Sequence, residues 1–168
     1  MAVGANAVWV AAAMGKVDSS ILYLLPVACI AALLPDIAAA GGAKVHYAAG
    51  GILGVFKGAF YGKYFHHRGL MHSVFVVVLL YLILLVLFHN SYPLLPVVAA
   101  VAYASHPFID GLNTTVGYWY PFSRKRMALV PRALQTRVNG PIDQLLLVLG
   151  LFGLALFFLL HLSQFIPA

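Results

Sequence analysis

The sequence contains no glutamate and little charge of either sign. Its only acids are four aspartates among 168 residues, and charged residues make up 8% of the chain while hydrophobic residues make up 63%. A soluble domain of average composition has about 25% charged residues, so this deficit argues against a surface covered by water. The single cysteine, Cys29, excludes an intramolecular disulfide. The sequence therefore predicts one integral membrane domain covering residues 1–168.

The basic residues are the second unusual feature of the composition. Ten lysines and arginines against four acids give a formal charge of +6, which in a soluble protein indicates a nucleic-acid partner. Here the basic residues fall in short loops beside apolar runs, where positive charge sets orientation and contacts anionic head groups. We therefore expect membrane lipids, and no nucleic acid, as partners.

Apolar runs predict an all-α fold, a polytopic transmembrane helix bundle of about four to five spans. A helix needs about 20 apolar residues to cross the hydrocarbon core, and the first run is short for a full crossing. The runs lie roughly at residues 2–15, 20–37, 70–89, 93–112 and 142–162. Between the second and third runs, the Gly-rich stretch 41–69 is too polar to span, and its middle, residues 45–60, predicts an interfacial or re-entrant helix.

The distribution of basic residues predicts the orientation of these spans. With five spans, nine of the ten lysines and arginines fall in two loops on one side of the membrane, and Lys16 alone lies opposite. The positive-inside rule makes the basic side cytoplasmic. The N-terminus is then inside.

Five ionisable residues are predicted to lie at one depth, near the cytoplasmic boundary. Asp36 ends the second run, His72 begins the third, His106 and Asp110 end the fourth, and Asp143 begins the fifth. His106 and Asp110 are four residues apart, so they share one face of a helix. An acid in a bilayer is costly, and it normally faces the protein interior and marks a functional site.

Imidazole and carboxylate groups at one depth are typical of a divalent metal site. Such a set favours zinc, whereas manganese is expected where more oxygen ligands are present. The alternative is a hydrogen-bonded polar cluster without metal, in which Asp36 or Asp110 pairs with Arg68 or another loop arginine and holds the bundle together. Interhelical polar contacts in membranes are worth only about 1 kcal/mol each, which favours the metal site.

Three motifs in order carry a resemblance to a known family: LLPDI at 33–37, HRGLMHS at 67–73 and SHPFIDGLNT at 105–114. They resemble the motifs of the YdjM-type (LexA-regulated) membrane-bound, metal-dependent hydrolases, over most of residues 20–145. The resemblance implies a bacterial or archaeal inner-membrane protein with metal-dependent hydrolase activity. A looser similarity to zinc-dependent phospholipases C favours lipid phosphoesters as substrates.

The leading hypothesis assigns roles to individual residues. Four of them are expected to hold the metal, namely Asp36, His72, His106 and Asp110. Arg68 is expected to neutralise a phosphate oxygen through its planar guanidinium. Asp143 or His67 is expected to orient the attacking water or protonate the leaving group.

The chain departs most from the family pattern at three positions. Ala38 and Ala39 follow Ile37 where relatives commonly have a carboxylate and a histidine, and Asn6 stands where relatives often have a histidine. The predicted function is a membrane-embedded hydrolase of a phosphoester or lipid at the cytoplasmic head-group level. The alternatives are a non-catalytic scaffold or pseudoenzyme of the same family, which the two alanines favour, and a small ion or metal transporter. The outer halves of the spans hold almost nothing ionisable, which argues against transport.

Overall fold

The computed structural model describes residues 2–14, 21–38, 68–135 and 140–165. These parts of the chain are helical and contain no β-strand, which confirms the all-α class. The α-helices are α1 (Ala2–Ala5), α2 (Val8–Ala13), α3 (Ile21–Ala38), α4 (Val74–Phe88), α5 (Leu95–Asn113) and α6 (Pro141–Phe165). Two 3₁₀ turns, Leu70–His72 and Arg132–Leu134, lie in the connections. The predicted interfacial helix at 45–60 lies outside the described residues.

Helices occupy all five predicted apolar runs, but they differ in length. Among the described residues, Leu95–Asn113 and Gln144–His161 are long and apolar enough to cross a membrane. The apolar stretches Val3–Ala13, Tyr23–Asp36 and Val74–Phe88 are shorter, at 10 to 17 residues. Two spans are therefore supported by length and composition, and a total of four to five stays a prediction.

Helix α5 lies at the centre of the described bundle, with α3 and α4 packed against it and α1 and α2 covering α3 and α5. Alanines are frequent in this core because a small side chain lets two helix backbones approach closely. The buried cluster comprises Ala7, Val8, Ala11, Ile21, Leu24, Ala28, Ala31, Leu94, Val98, Ala99, Ala102, Tyr103 and Phe157. Close approach of α3 and α5 brings the backbone of one helix within reach of side chains on the other.

The beginnings of α4 and α5 follow from local chemistry. Ser73 precedes α4 in extended conformation, and its hydroxyl accepts a hydrogen bond from Val76 N at 3.4 Å and donates to Leu70 O at 2.6 Å. Serine at this position satisfies an unpaired backbone N–H of the first turn. Pro96 stands in the first turn of α5, where its missing N–H costs nothing. The Ser73 hydroxyl thereby joins the 3₁₀ turn Leu70–His72 to α4.

The outward faces of α4 and α6 are apolar. No residue of α4 is buried, and Val86, Phe152 and Leu159 expose 76%, 64% and 70% of their surface. Contiguous apolar surfaces of this extent mark contact with another apolar phase or protein. Contact of these faces with membrane lipids stays a prediction.

Candidate metal centre

One end of the bundle collects the predicted polar residues. Helix α3 ends just after Asp36, the 3₁₀ turn that carries His72 precedes α4, and α5 carries His106 and Asp110 in its last two turns. Because α3 and α5 end where α4 begins, these four side chains lie at the same end of three packed helices.

Three of the four predicted ligands form a candidate metal-binding triad. Asp36, His72 and His106 each offer one ligand atom, and these atoms all lie within 4.8 Å of one another. The His72 side chain is 1% exposed, that of His106 18% and that of Asp36 52%. The triad is therefore buried on the histidine side and open on the side of Asp36.

The surroundings of His106 fit a metal ligand. Its Nδ1 lies 3.1 Å from Ala32 O, and because a carbonyl only accepts, Nδ1 carries a proton. In the neutral ring this leaves the lone pair on Nε2, the atom that can bind a metal. Buried Nε2 lies 3.3 Å from Asp36 Oδ1 without a hydrogen bond of regular geometry. Two electron-rich atoms at this separation require a cation or a proton between them. A backbone carbonyl on the second ring nitrogen is the usual partner of a metal-ligating histidine.

Asp110, predicted as the fourth ligand, lies outside this triad. Its Oδ2 accepts a hydrogen bond from Arg68 Nε at 2.9 Å and lies 3.3 Å from His72 Nε2. The Arg68–Asp110 pair that the polar-cluster interpretation predicted is therefore present, beside the triad. Asp110 links the arginine to the triad histidine, and its role as a ligand stays a prediction.

Arg68 is held by backbone contacts with the loop that follows α5. It adopts a positive φ of 60°, a region that non-glycine residues rarely occupy and that clusters at functional sites. Its carbonyl accepts from Gly117 N at 3.0 Å, and a Cβ on Gly117 would lie 3.3 Å from that oxygen. A glycine at this position therefore allows the loop to approach Arg68.

Two tyrosines that the sequence analysis did not assign to the site support it. The buried Tyr103 donates its hydroxyl to Met71 O at 2.5 Å, tying the turn that carries His72 to α5. Tyr118 donates to Pro107 O at 2.9 Å, one residue from His106. Burial raises the pKa of Tyr118 to about 12, so its hydroxyl keeps the proton that it donates. The position of Tyr103 one turn before His106 on α5 was the available sequence signal.

The two remaining predicted catalytic residues are not part of the described cluster. His67 lies outside the described residues, and Asp143 lies in the first turn of α6, with its side chain undescribed. Asn6 Nδ2 donates to Gly150 O at 2.8 Å and Trp9 Nε1 to Gly153 O at 3.2 Å. These bonds align α6 with α1 and α2, so α6 begins toward the end of the bundle that holds the triad. The roles of both residues stay predictions.

Apolar outer faces and a histidine–aspartate cluster at one end of the helices are typical of a helical membrane protein with a polar site. The chain belongs to the YdjM inner membrane protein family, whose sequence profile matches residues 1–165. No curated protein and no solved structure matches the chain. The family confirms the resemblance and the inner-membrane location.

Proposed function

We propose that this protein is a membrane-embedded, metal-dependent hydrolase of a phosphoester or lipid substrate at the cytoplasmic head-group level. The observation that carries the proposal is the position of His106 Nε2, which is buried without a hydrogen bond of regular geometry, lies 3.3 Å from the Asp36 carboxylate and stands beside His72. Two histidines and one carboxylate are also the protein ligands of many catalytic zinc sites, which keep a fourth position open. We therefore favour zinc, with manganese as the second choice.

A divalent ion held by the triad would supply a bound water whose pKa falls to about 7, and so a hydroxide nucleophile at neutral pH. The residues of the chain then bind and orient the substrate. A guanidinium has five N–H donors, and the bond to Asp110 uses one of those of Arg68. The other donors can bind a phosphate oxygen, and the 23% exposure of the Arg68 side chain gives a substrate access to them. His67 or Asp143 would orient the water or protonate the leaving group.

The loop after α5 supports a site at the head-group level. Arg124, Lys125 and Arg126 are exposed in this loop, and Gly117 of the same loop contacts the backbone of Arg68. Basic residues near a membrane surface attract anionic lipids by about 1 kcal/mol each. The loop would therefore raise the concentration of lipid phosphates beside the triad on the cytoplasmic side.

Metal content tests the site directly. We would purify the protein in lipid nanodiscs and measure bound metal in the unmodified chain and in Asp36→Ala and His106→Ala. His89→Ala is the matched control, because His89 is exposed beyond the far end of α4. We expect one metal per chain in the unmodified protein and in the control, and almost none in the two triad variants. Equal metal content in all four proteins would refute the triad.

Turnover tests the activity. The metal-loaded protein is incubated with a panel of lipid phosphates and soluble phosphoesters, and phosphate or alcohol release is measured. We expect hydrolysis that Arg68→Ala lowers without changing the metal content, because Arg68 contacts the substrate rather than the metal. Full metal occupancy without hydrolysis of any member of the panel would contradict a hydrolase.

A metal-binding but non-catalytic family member is the second candidate. Ala38 ends α3 two residues after Asp36, at a position where the family resemblance implies a carboxylate, and Asp110 is already paired with Arg68. Both observations leave fewer carboxylates to bind metal or to transfer a proton. If the unmodified chain binds metal and is inactive while Ala38→Asp hydrolyses a substrate, the second candidate replaces the first.

A further inference from the structure

An apolar groove lies between α3 and α4, where both helices pack against α5. Its volume is about 270 Å³, and it is lined by four residues between 27 and 34 of α3, three between 80 and 88 of α4, and Leu95 and Ala99 of α5. All nine lining residues are apolar. No described side chain fills this space, so it is open to a ligand that is itself apolar.

The groove runs toward the metal centre along α5. Its residues Leu95 and Ala99 share one face of the helix with His106 and Asp110, because spacings of four, seven and four residues are each close to whole turns. Ala99 and His106 are separated by about 10 Å along the helix axis at 1.5 Å per residue. A ligand lying in the groove parallel to the helices therefore has one end directed at the triad.

The size of the groove matches part of one acyl chain. A water molecule takes about 30 Å³ in the liquid, and a methylene group takes nearly the same volume. The groove volume thus corresponds to about nine methylene groups on this scale. In a membrane, lipid tails lie parallel to the spanning helices and surround the groove at high concentration.

The groove alone gives little preference for any lipid. Lipid tails are as apolar as leucine, so moving a tail from the bilayer into the groove gains no hydrophobic free energy. A preference must come from the head group, and Arg68, whose side chain is 23% exposed, is a described cation at the same end of the bundle. A guanidinium binds phosphate through paired N–H donors.

We propose that the groove between α3 and α4 binds one acyl chain of a phosphate-bearing membrane lipid whose head group contacts Arg68 and the metal triad. This inference rests on the proposed function, because it specifies the substrate of the same site. It predicts that the substrate is a lipid phosphate and that a soluble phosphoester with the same head group is a poor substrate.

The test uses the unmodified protein in nanodiscs with phosphatidic acid that carries a photoactivatable diazirine on one acyl chain. After irradiation, labelled peptides are identified by mass spectrometry. Ile30→Trp places an indole at the groove, since Ile30 lines it and is 57% exposed. Val86→Trp is the matched control, because Val86 is 76% exposed on α4 and does not line the groove.

We expect labelling to concentrate on the groove segments of α3 and α4. Ile30→Trp should lower it about fivefold, corresponding to about 1 kcal/mol, and Val86→Trp should leave it unchanged. Diacylglycerol with the same diazirine chain should label the groove much less, because it lacks the phosphate. Labelling spread evenly over α4 and α6, or equal labelling by both lipids, would overturn the inference. Crosslinks between two copies at the groove, with the probe excluded, would assign the groove to a second copy and also overturn it.

The outcomes separate this inference from the proposed function. Groove labelling that depends on phosphate, without any hydrolysis, would support the lipid site and contradict the hydrolase. The opposite outcome is that the metal-loaded protein hydrolyses lipid and soluble phosphoesters at equal rates and that Ile30→Trp does not change these rates. That outcome would support the hydrolase and refute the groove as its lipid site.

Discussion

Replacement of Tyr103 by phenylalanine tests whether the hydrogen bond between α5 and the His72 turn positions the metal ligands. The change removes one hydroxyl, which donates to Met71 O at 2.5 Å, from a side chain that is 1% exposed. Leaving a buried acceptor unpaired costs about 1–3 kcal/mol. Met71 immediately precedes His72, so this cost favours arrangements in which His72 leaves the triad. If the cost falls entirely on metal binding, the affinity drops about 5- to 140-fold, which overlaps the 10–100-fold typical of groups that orient metal ligands.

The assay is a zinc titration against a chromogenic chelator, with the protein in nanodiscs. Tyr23→Phe is the matched control, because Tyr23 lies on α3 and is 71% exposed. We expect Tyr103→Phe to keep one metal per chain at lower affinity, and Tyr23→Phe to match the unmodified protein. An affinity for Tyr103→Phe within about twofold of the unmodified protein, a difference below about 0.5 kcal/mol, would refute the positioning role.

Three further variants test the packing around the site. Gly111→Ala should lower the free energy of unfolding by about 1–3 kcal/mol, because a Cβ would overlap the Tyr118 hydroxyl. The double variant with Tyr118→Phe should lose less stability than the sum of the losses in the two single variants. Gly4→Ala should weaken both thermal stability and zinc affinity, because its Cβ would overlap the Ala32 methyl and displace α1 from α3. The carbonyl of the same Ala32 binds His106 Nδ1, so the displacement would reach a metal ligand. Ser73→Ala should lower the free energy of unfolding by about 1 kcal/mol, because it removes the buried hydroxyl that caps α4. Thermal unfolding measures this loss.

Ser73→Ala has a matched control, and the two glycine variants have contradicting outcomes. Ser91→Ala removes an exposed hydroxyl in the turn between α4 and α5, and we expect no change in thermal stability. Strict additivity of Gly111→Ala and Tyr118→Phe would show that the two side chains do not meet. Unchanged zinc affinity in Gly4→Ala would show that the packing of α1 does not affect the geometry of the triad.

The positions of the helices could be predicted from sequence because they depend on composition along the chain. Apolar runs bounded by charge, glycine or proline placed all five helical regions, and Asp36, His72 and His106 could be assigned to one end from the alternating direction of successive spans. The number of true spans was less accessible, because three described apolar stretches fall below 18 residues and length alone does not decide them.

The partners of individual side chains were not predictable to the same degree. The sequence analysis left Asp110 between a metal and Arg68, and in the structure its Oδ2 accepts a hydrogen bond from Arg68, while its role as a ligand stays a prediction. Choosing between a metal and an arginine requires the distances among groups that lie 42 residues apart in the chain. The tyrosine contacts, and the groove between α3 and α4, likewise depend on which helix faces meet.

The sequence by itself determined that this is a helical membrane protein whose acids and histidines lie near one end of the spans, because hydropathy and charge act residue by residue along the chain. The tertiary structure decided which of these residues meet. Close packing of α3 on α5 placed the Ala32 carbonyl on His106 Nδ1 and turned Nε2 toward Asp36, and a contact of that kind depends on helix rotation and interaxial distance, which no local pattern encodes.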